Sequence, residues 1–394
     1  MELLRNYVCY VPTLRFKSFE QEWEYSTIGK CSISLEYGMN AAAVKYDGKH
    51  KYIRITDIDE ETSAFIPNPL SSPDGEFEQK YLVKENDILF ARTGASVGKS
   101  YLYNPNDGEL YFAGFLIRAR IKPEYNGTFI YYQTKSKKYD RWVKLTSMRS
   151  GQPGINSQEY SGYPIAITGK VEQDKIADFL QLIDNRIAVQ NKIISDLKVL
   201  KKELCNKVFC KGSVVRLGDF IEEVTTRNKS NSCENVLSVS NKMGFIKQSE
   251  QFEDRTVASE NKSNYKVVTE GCFAYNPARI NVGSIALLST YKIGIISPMY
   301  VCFKTKSALD SEYLNFYYQS GFFYKELQKK LEGSVRQCLT YENMSEIIIP
   351  YIGIEEQKTI AATLNNFAIL IANEEKYLKS LQKQKSYFLS AMFI

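Results

Sequence analysis

The sequence holds a single histidine, His50. A catalytic triad would have to centre on it, and no nucleophile motif accompanies it. Eight cysteines are scattered at Cys9, Cys31, Cys205, Cys210, Cys233, Cys272, Cys302 and Cys338, and none forms a C-x-x-C pair. With one histidine, that argues against a structural zinc site, and a chain this long needs no disulfide framework. Reduced cytosolic thiols are the expectation. No apolar run approaches the roughly eighteen residues of a membrane span. The opening Met1-Glu-Leu-Leu-Arg-Asn6 carries an acid and no apolar stretch, so it does not read as a signal peptide. A cytoplasmic protein with no membrane partner is expected.

Chemistry-bearing motifs are also scarce. Asn276-Pro-Ala-Arg279 lacks the second proline and the aromatic residue that an adenine methyltransferase uses to hold a flipped base. Gly94-x-x-x-Gly98-Lys99-Ser100 has one residue too few between its glycines for a phosphate-binding loop. The one dense acidic run, Asp57-Ile-Asp-Glu-Glu61, reads as a solvated loop. The residues point to binding without chemistry, with no metal and no cofactor in this chain. The formal charge of +6 suits a polyanion but shifts the odds only slightly.

What is present is a repeat. The 394 residues make about two to three ordinary domains, and the chain is written twice. Val171-Glu-Gln-Asp-Lys-Ile-Ala-Asp-Phe-Leu180 matches Glu355-Glu-Gln-Lys-Thr-Ile-Ala-Ala-Thr-Leu364 without a gap. Apolar positions Ile176, Leu180, Ile183, Ile187, Ile194, Leu197, Leu204 and Val208 fall on Ile360, Leu364, Phe367, Ile371, Leu378, Leu381, Phe388 and Met392. Their steps of three and four are the seam of a coiled coil. Both copies break the seam at matching places, Gln190 with Glu374 and Lys201 with Lys385. Each helix should run about 35 residues, roughly 50–55 Å.

The preceding regions repeat more weakly. Glu85–Gly98 resembles Glu270–Gly283, Phe129–Thr134 resembles Asn315–Ser320, and Ile28-Gly29 resembles Leu217-Gly218. Within each, β-branched and aromatic runs alternate with Gly, Asn, Pro and Asp turns, and helical stretches are expected near 126–145 and 311–331. The expected layout is domain, helix, domain, helix, an α+β chain whose domains are mixed and mostly antiparallel.

Polar breaks choose the helix direction. Parallel alignment sets Lys201 against Lys385, whereas an antiparallel register sets Lys201 on Glu374 and Gln190 on Lys385, with every apolar layer meeting another. An antiparallel coiled coil gives a pseudo-twofold internal repeat and holds two similar domains apart, which suits a ligand with twofold symmetry and length, such as duplex DNA.

The two Glu-Gln-x-x-Ile-Ala helix openings (Glu172–Ala177, Glu356–Ala361), the turn Ala91-Arg-Thr-Gly-Ala-Ser-Val-Gly98 and its counterpart Tyr275-Asn-Pro-Ala-Arg-Ile-Asn-Val-Gly283 resemble those of type I restriction–modification specificity subunits, the HsdS family, over essentially the whole chain. The resemblance implies two α/β target-recognition domains (1–168 and 212–352), each reading half of a split site in double-stranded DNA. It implies two spacer helices (169–211 and 353–394) that set the unread gap and dock two modification subunits. Those partners would carry S-adenosylmethionine, and separate restriction subunits would use ATP and magnesium. The second copy departs from the first in having Pro277-Ala278 where the first has Arg92-Thr93.

Base reading needs Arg, Lys, Asn or Gln at base edges. The candidates are Arg92, Thr93, Ser96 and Lys99 in the first turn, Arg149, Ser150 and Gln152 in the loop before its helix, and Arg279, Asn281, Arg336 and Gln337 in the second domain. Lys45, Lys49, Lys51, Lys135, Lys137, Lys138, Lys229, Lys325, Lys329 and Lys330 are candidates for phosphate contact. Two rival functions stand beside this one, a coiled-coil scaffold that reads no DNA and the specificity subunit of a combined restriction–methylation enzyme. A methyltransferase in its own right comes after them.

Overall fold

Two short runs with no polar alternation, Asp87-Ile-Leu-Phe-Ala91 and Cys272-Phe-Ala-Tyr275, are buried at every position. A strand buried on both faces must sit between two cores, and this is what the computed structural model shows. It describes residues 11–148, 151–210, 212–241, 243–251, 261–331 and 338–393. In the first run Ile88 and Phe90 enter one core, while Leu89 and Ala91 enter a second on the opposite face. In the second run Phe273 and Tyr275 face one core, Cys272 and Ala274 the other. Burial pushes the Cys272 thiol up to about 11 and the Cys302 thiol up to about 12, so both are inert side chains of the interior.

The chain divides into two compact units. One takes in residues up to Gln190 together with those from Tyr377 onward, and the other is Asn191–Lys376. In the first unit an antiparallel sheet has the order Ser32–Tyr37, Leu116–Ile121, Asp87–Ala91, Ser100–Leu102. In the second unit the order Ile221–Glu223, Val301–Thr305, Cys272–Tyr275, Ile285–Leu287 repeats that sheet. Smaller pairings cover the outer face in the first unit, including the parallel pair Lys51–Ile53 with Leu110–Phe112. A four-stranded mixed sheet takes that place in the second. Two helices follow each sheet, Gly127–Gln133 and Lys137–Thr146, then Ser311–Tyr318 and Gly321–Lys330. Their N-termini are capped by Asn126, Ser136, Asp310 and Ser320 at matching places.

The two periodic segments form helices at Lys170–Val208 and Ile354–Ala391, 39 and 38 residues long, each about 57 Å at 1.5 Å per residue. Their shared glutamine has a structural task. Gln173 is buried; its Oε1 accepts from the Asn126 backbone N–H at 2.9 Å and its Nε2 donates to the Thr168 carbonyl at 2.7 Å. Gln357 repeats this on Asp310 (2.8 Å) and Ile352 (2.8 Å). Each glutamine therefore clamps the start of a long helix to the cap of a domain helix. Replacing Gln173 or Gln357 by leucine orphans a part-buried N–H and a buried or part-buried carbonyl, which should cost about 1–3 kcal/mol, read as a fall in the denaturation midpoint at unchanged slope. Glu172, beside Gln173, is buried and accepts two hydrogen bonds from Arg15, at 2.7 and 2.8 Å.

The helices run antiparallel within each unit. In the first, Phe179 packs on Phe388 (ring centroids 4.9 Å apart) and Asp184 pairs with Lys385 at 2.5 Å. In the second, Lys198 pairs with Glu375 at 2.7 Å, and Cys205 and Val208 share a core with Ile360 and Leu364. The polar breaks lie at inward positions, Gln190 buried and Lys201, Glu374 and Lys385 half-buried. The register expectation set Gln190 on Lys385, yet the lysine bridges to Asp184, between one and two turns toward the first helix's N-terminus. A long ammonium side chain gains more from a carboxylate than from an amide, and it has the reach. The Lys201 ammonium lies 5.1 Å over the Phe316 ring. Just past each long helix an aromatic residue enters a domain core: Phe209 meets Tyr313 and Tyr317, and Phe393 meets Phe129 and Trp23.

Candidate nucleic-acid interface

The turn after Asp87–Ala91 is closed by two backbone bonds, Ala91 N–H to Lys99 carbonyl at 2.8 Å and Gly98 N–H to Ala91 carbonyl at 3.0 Å. Gly94 and Gly98 have φ of +70° and +87°, which explains the glycines that resembled a phosphate loop: the backbone here needs left-handed residues. Two further bonds stitch the turn to the following loop. Ile155 N–H donates to the Arg92 carbonyl (2.9 Å) and Gly94 N–H to the Pro153 carbonyl (3.0 Å). A Cβ on Gly94 would lie 3.0 Å from the Gln152 side-chain nitrogen. Arg92, Thr93, Ser96, Lys99 and Gln152 are thus brought together. Arg149 and Ser150 lie outside the described residues.

The second turn is built the same way with different residues. Gly283 has φ +86°, Ser284 N–H donates to the Arg279 carbonyl at 3.2 Å, and Leu339 N–H donates to the Pro277 carbonyl at 3.2 Å. Leu339 stands to Pro277 as Ile155 stands to Arg92. Arg279 and Asn281 are exposed, and Asn241 Nδ2 bonds to the Val282 carbonyl at 2.7 Å. Arg336 and Gln337 lie outside the described residues.

Arg92 is held in an aromatic setting that sequence reasoning missed. Its guanidinium carbon lies 4.9 Å from the centre of the Tyr37 ring and 5.8 Å from that of Phe115, cation–π distances. Its Nε is buried with no hydrogen-bond partner among the described residues. Tyr37 accepts from the Ser157 N–H at 3.1 Å; the Ser157 side chain first, then that N–H and the nearby Arg92 charge, pull its hydroxyl below the usual tyrosine range. With 28 tyrosines and 21 phenylalanines in the chain, composition could not single out these two. Tyr37 ends a strand and Phe115 lies in a turn far from it in sequence, and only the fold brings them to Arg92.

The lysine candidates are more dispersed. Lys45 is exposed on a short strand paired with Ser71. Lys51 donates to the Asp107 carbonyl, and Lys135 is held inside the fold by Ser63 and Ser100. The acidic run Asp57–Glu61 is a capped turn in which Asp57 pairs with Arg54 and Asp59 accepts from Thr62. Among the described residues no group of His, Cys, Asp and Glu could hold a metal ion, and no helix is long and apolar enough to cross a membrane.

The family model for the type I restriction modification DNA specificity domain matches twice, over residues 21–199 and 212–383. The chain belongs to that family. Its role is DNA sequence specificity, and the two matches are the two copies of the repeat. Among curated specificity subunits, it is similar to the type I restriction enzyme MjaVIII subunit of Methanocaldococcus jannaschii, 25% identical over 357 residues, 80% of either chain. The putative MjaX subunit of the same organism is 24% identical over 339 residues, 79% of either chain. Among solved structures the S subunit from M. genitalium matches with a TM-score of 0.60 at 15% identity, over 98% of this chain and 99% of that one. A chain of another type I system matches with a TM-score of 0.56 at 14% identity, over 93% and 96%. These two share the fold of this specificity subunit.

Proposed function

We propose that this specificity subunit acts without catalysis of its own, each domain reading one half of a split site in double-stranded DNA. The observation that carries the reading is the duplicated turn. In both halves an arginine-bearing turn, fixed by a left-handed glycine, is tied by the same backbone bond to the loop that leads, through a short helix and a strand, into a long helix. Backbone fixed at both ends lets an arginine meet a base edge with little ordering cost. Arg149 and Ser150, a few residues before Ile155 in the sequence, and Arg336 and Gln337, just before Leu339, are assigned to the same task. Lys45 is assigned to phosphate.

The helices set the gap between half-sites and dock two modification subunits. In one unit Leu182, Val189 and Tyr387 are exposed on them, and in the other Val199, Leu200, Ile369 and Leu370 are exposed. A coiled coil that leaves large apolar residues in water on both helices has a surface for further helices. S-adenosylmethionine belongs to those modification subunits, ATP and magnesium to the restriction subunits, and the assembly works in the cytoplasm.

Docking is tested with Leu200→Glu together with Ile369→Glu. The expected outcome is at least about tenfold weaker capture of a modification subunit with unchanged helical circular dichroism. Unchanged capture would contradict this docking surface. Reading is tested by competition among duplexes of different sequence against the assembled complex. A specific duplex should bind at least about a thousandfold tighter than random ones. Equal binding of all sequences would favour the scaffold, and the modification and nuclease activities of the partner chains separate a type I complex from a combined restriction–methylation enzyme.

A further inference from the structure

Strand register fixes which residues of the two domains correspond. Ile117 pairs with Phe90, and Val301 pairs with Tyr275. Stepping two residues back along one strand and two forward along the other leads from the first pair to Phe115 and Arg92, and from the second to Met299 and Pro277. The arginine is not kept at this place, since the second domain carries its own two residues later as Arg279. A large apolar side chain in water is kept, with Phe115 55% exposed and Met299 63% exposed.

Neither is a loose loop residue. The Phe115 carbonyl accepts from the Arg92 N–H at 3.0 Å, and the adjoining Gly114 N–H bonds to the Met39 carbonyl at 2.7 Å. Gly38 crosses so close beneath that a Cβ there would stand 2.3 Å from the carbonyl oxygens of Phe112 and Ala113. Met299 lies in a turn closed by Tyr300 N–H to the Ser297 carbonyl at 3.1 Å, on a tyrosine that is itself buried. Its sulfur is 4.0 Å from the Asn276 amide nitrogen. Two rigid backbones thus hold an apolar group out beside a turn that carries arginine.

A single exposed apolar residue needs no explanation, but two at corresponding places beside the reading turns call for a common ligand. Arginine makes that ligand anionic or a base edge. In the major groove the base edges present one apolar group, the 5-methyl of thymine, which pairs with apolar side chains such as phenylalanine. We propose that Phe115 and Met299 are the apolar base contacts of the two half-sites, each packing on the methyl group of a thymine beside the base that its turn's arginine reads. This rests on the reading of DNA by both domains.

The test starts from the split motif mapped for the wild-type complex with its modification subunit. Each thymine of that duplex is then replaced in turn by deoxyuridine, which removes the methyl and keeps the base's hydrogen bonds. One replacement in one half should weaken wild type about fourfold, the worth of one buried methyl. That replacement should leave Phe115→Ala unaffected, and a replacement in the other half should behave likewise for Met299→Ala. Thermal unfolding of both variants should match wild type, because both side chains are largely in water. A half-site without thymine, or deoxyuridine effects equal in wild type and variant, overturns the inference while the reading of DNA stands. Absence of any split motif for wild type overturns the reading itself.

Discussion

Arg92→Ala should cost the assembled complex about ten- to a hundredfold in affinity for its site, the worth of a bidentate arginine–base contact of about 1–3 kcal/mol. The loss should be confined to one half of the motif. Arg92 is buttressed by Tyr37 and Phe115, its peptide is fixed on both sides, and its buried Nε leaves the terminal nitrogens as the reading edge. Competition binding with every single-base change in either half checks this. A variant that loses affinity equally for all sequences, with a salt slope smaller by about one, would place Arg92 on a phosphate instead. Arg92→Lys should not rescue, because an ammonium offers neither the planar stack nor the fork.

The second large effect concerns stability. Asp87 is fully buried at the start of the central strand and accepts from Arg120 Nε and Nη2, both at 3.0 Å; Arg118, 1% exposed, lies 3.9 Å away. Arg118 also donates to the carbonyls of Lys80 and Leu82 and to the Glu36 carboxylate, and lies 4.9 Å from the Phe112 ring. Asp87→Ala leaves buried cationic charge uncompensated, an effect of about 3–5 kcal/mol. Burial already pulls the Arg118 guanidinium below its ordinary pKa, and among the described residues its remaining carboxylate partner is Glu36, which is half in water. The expected outcome is a fall in Tm of roughly 6–20 °C for the unit that contains it, seen as an earlier first transition in calorimetry. A fall of less than about 2 °C would show that the network is dispensable.

Periodic features were legible in the sequence, and convergent ones were not. The heptads, their matched breaks at Gln190/Glu374 and Lys201/Lys385, and the duplicated Glu-Gln opening are one-dimensional patterns, and they led to the paired antiparallel helices. The turns at Arg92 and Arg279 were legible because left-handed backbone demands glycine at Gly94, Gly98 and Gly283. Sequence alone did not reveal that Gln173 and Gln357 are clamps, since their partners Asn126 and Asp310 lie almost fifty residues away. Tyr37 and Phe115 were hidden among many aromatics, and Lys51 and Lys135 read as free cations although the fold engages both ammonium groups. The Asp184–Lys385 bridge escaped a register argument that treated side chains as points facing their opposite layer.

On the proposed reading, one chain reads two half-sites, one with each copy of its repeat. The most direct measurement is to co-express it with its modification subunit and map methylated adenines across a genome. The expected result is a split motif, two short defined sequences around a fixed unread gap, with Arg92→Ala relaxing one of them alone. A continuous motif, or a stable complex that methylates nothing, would contradict it.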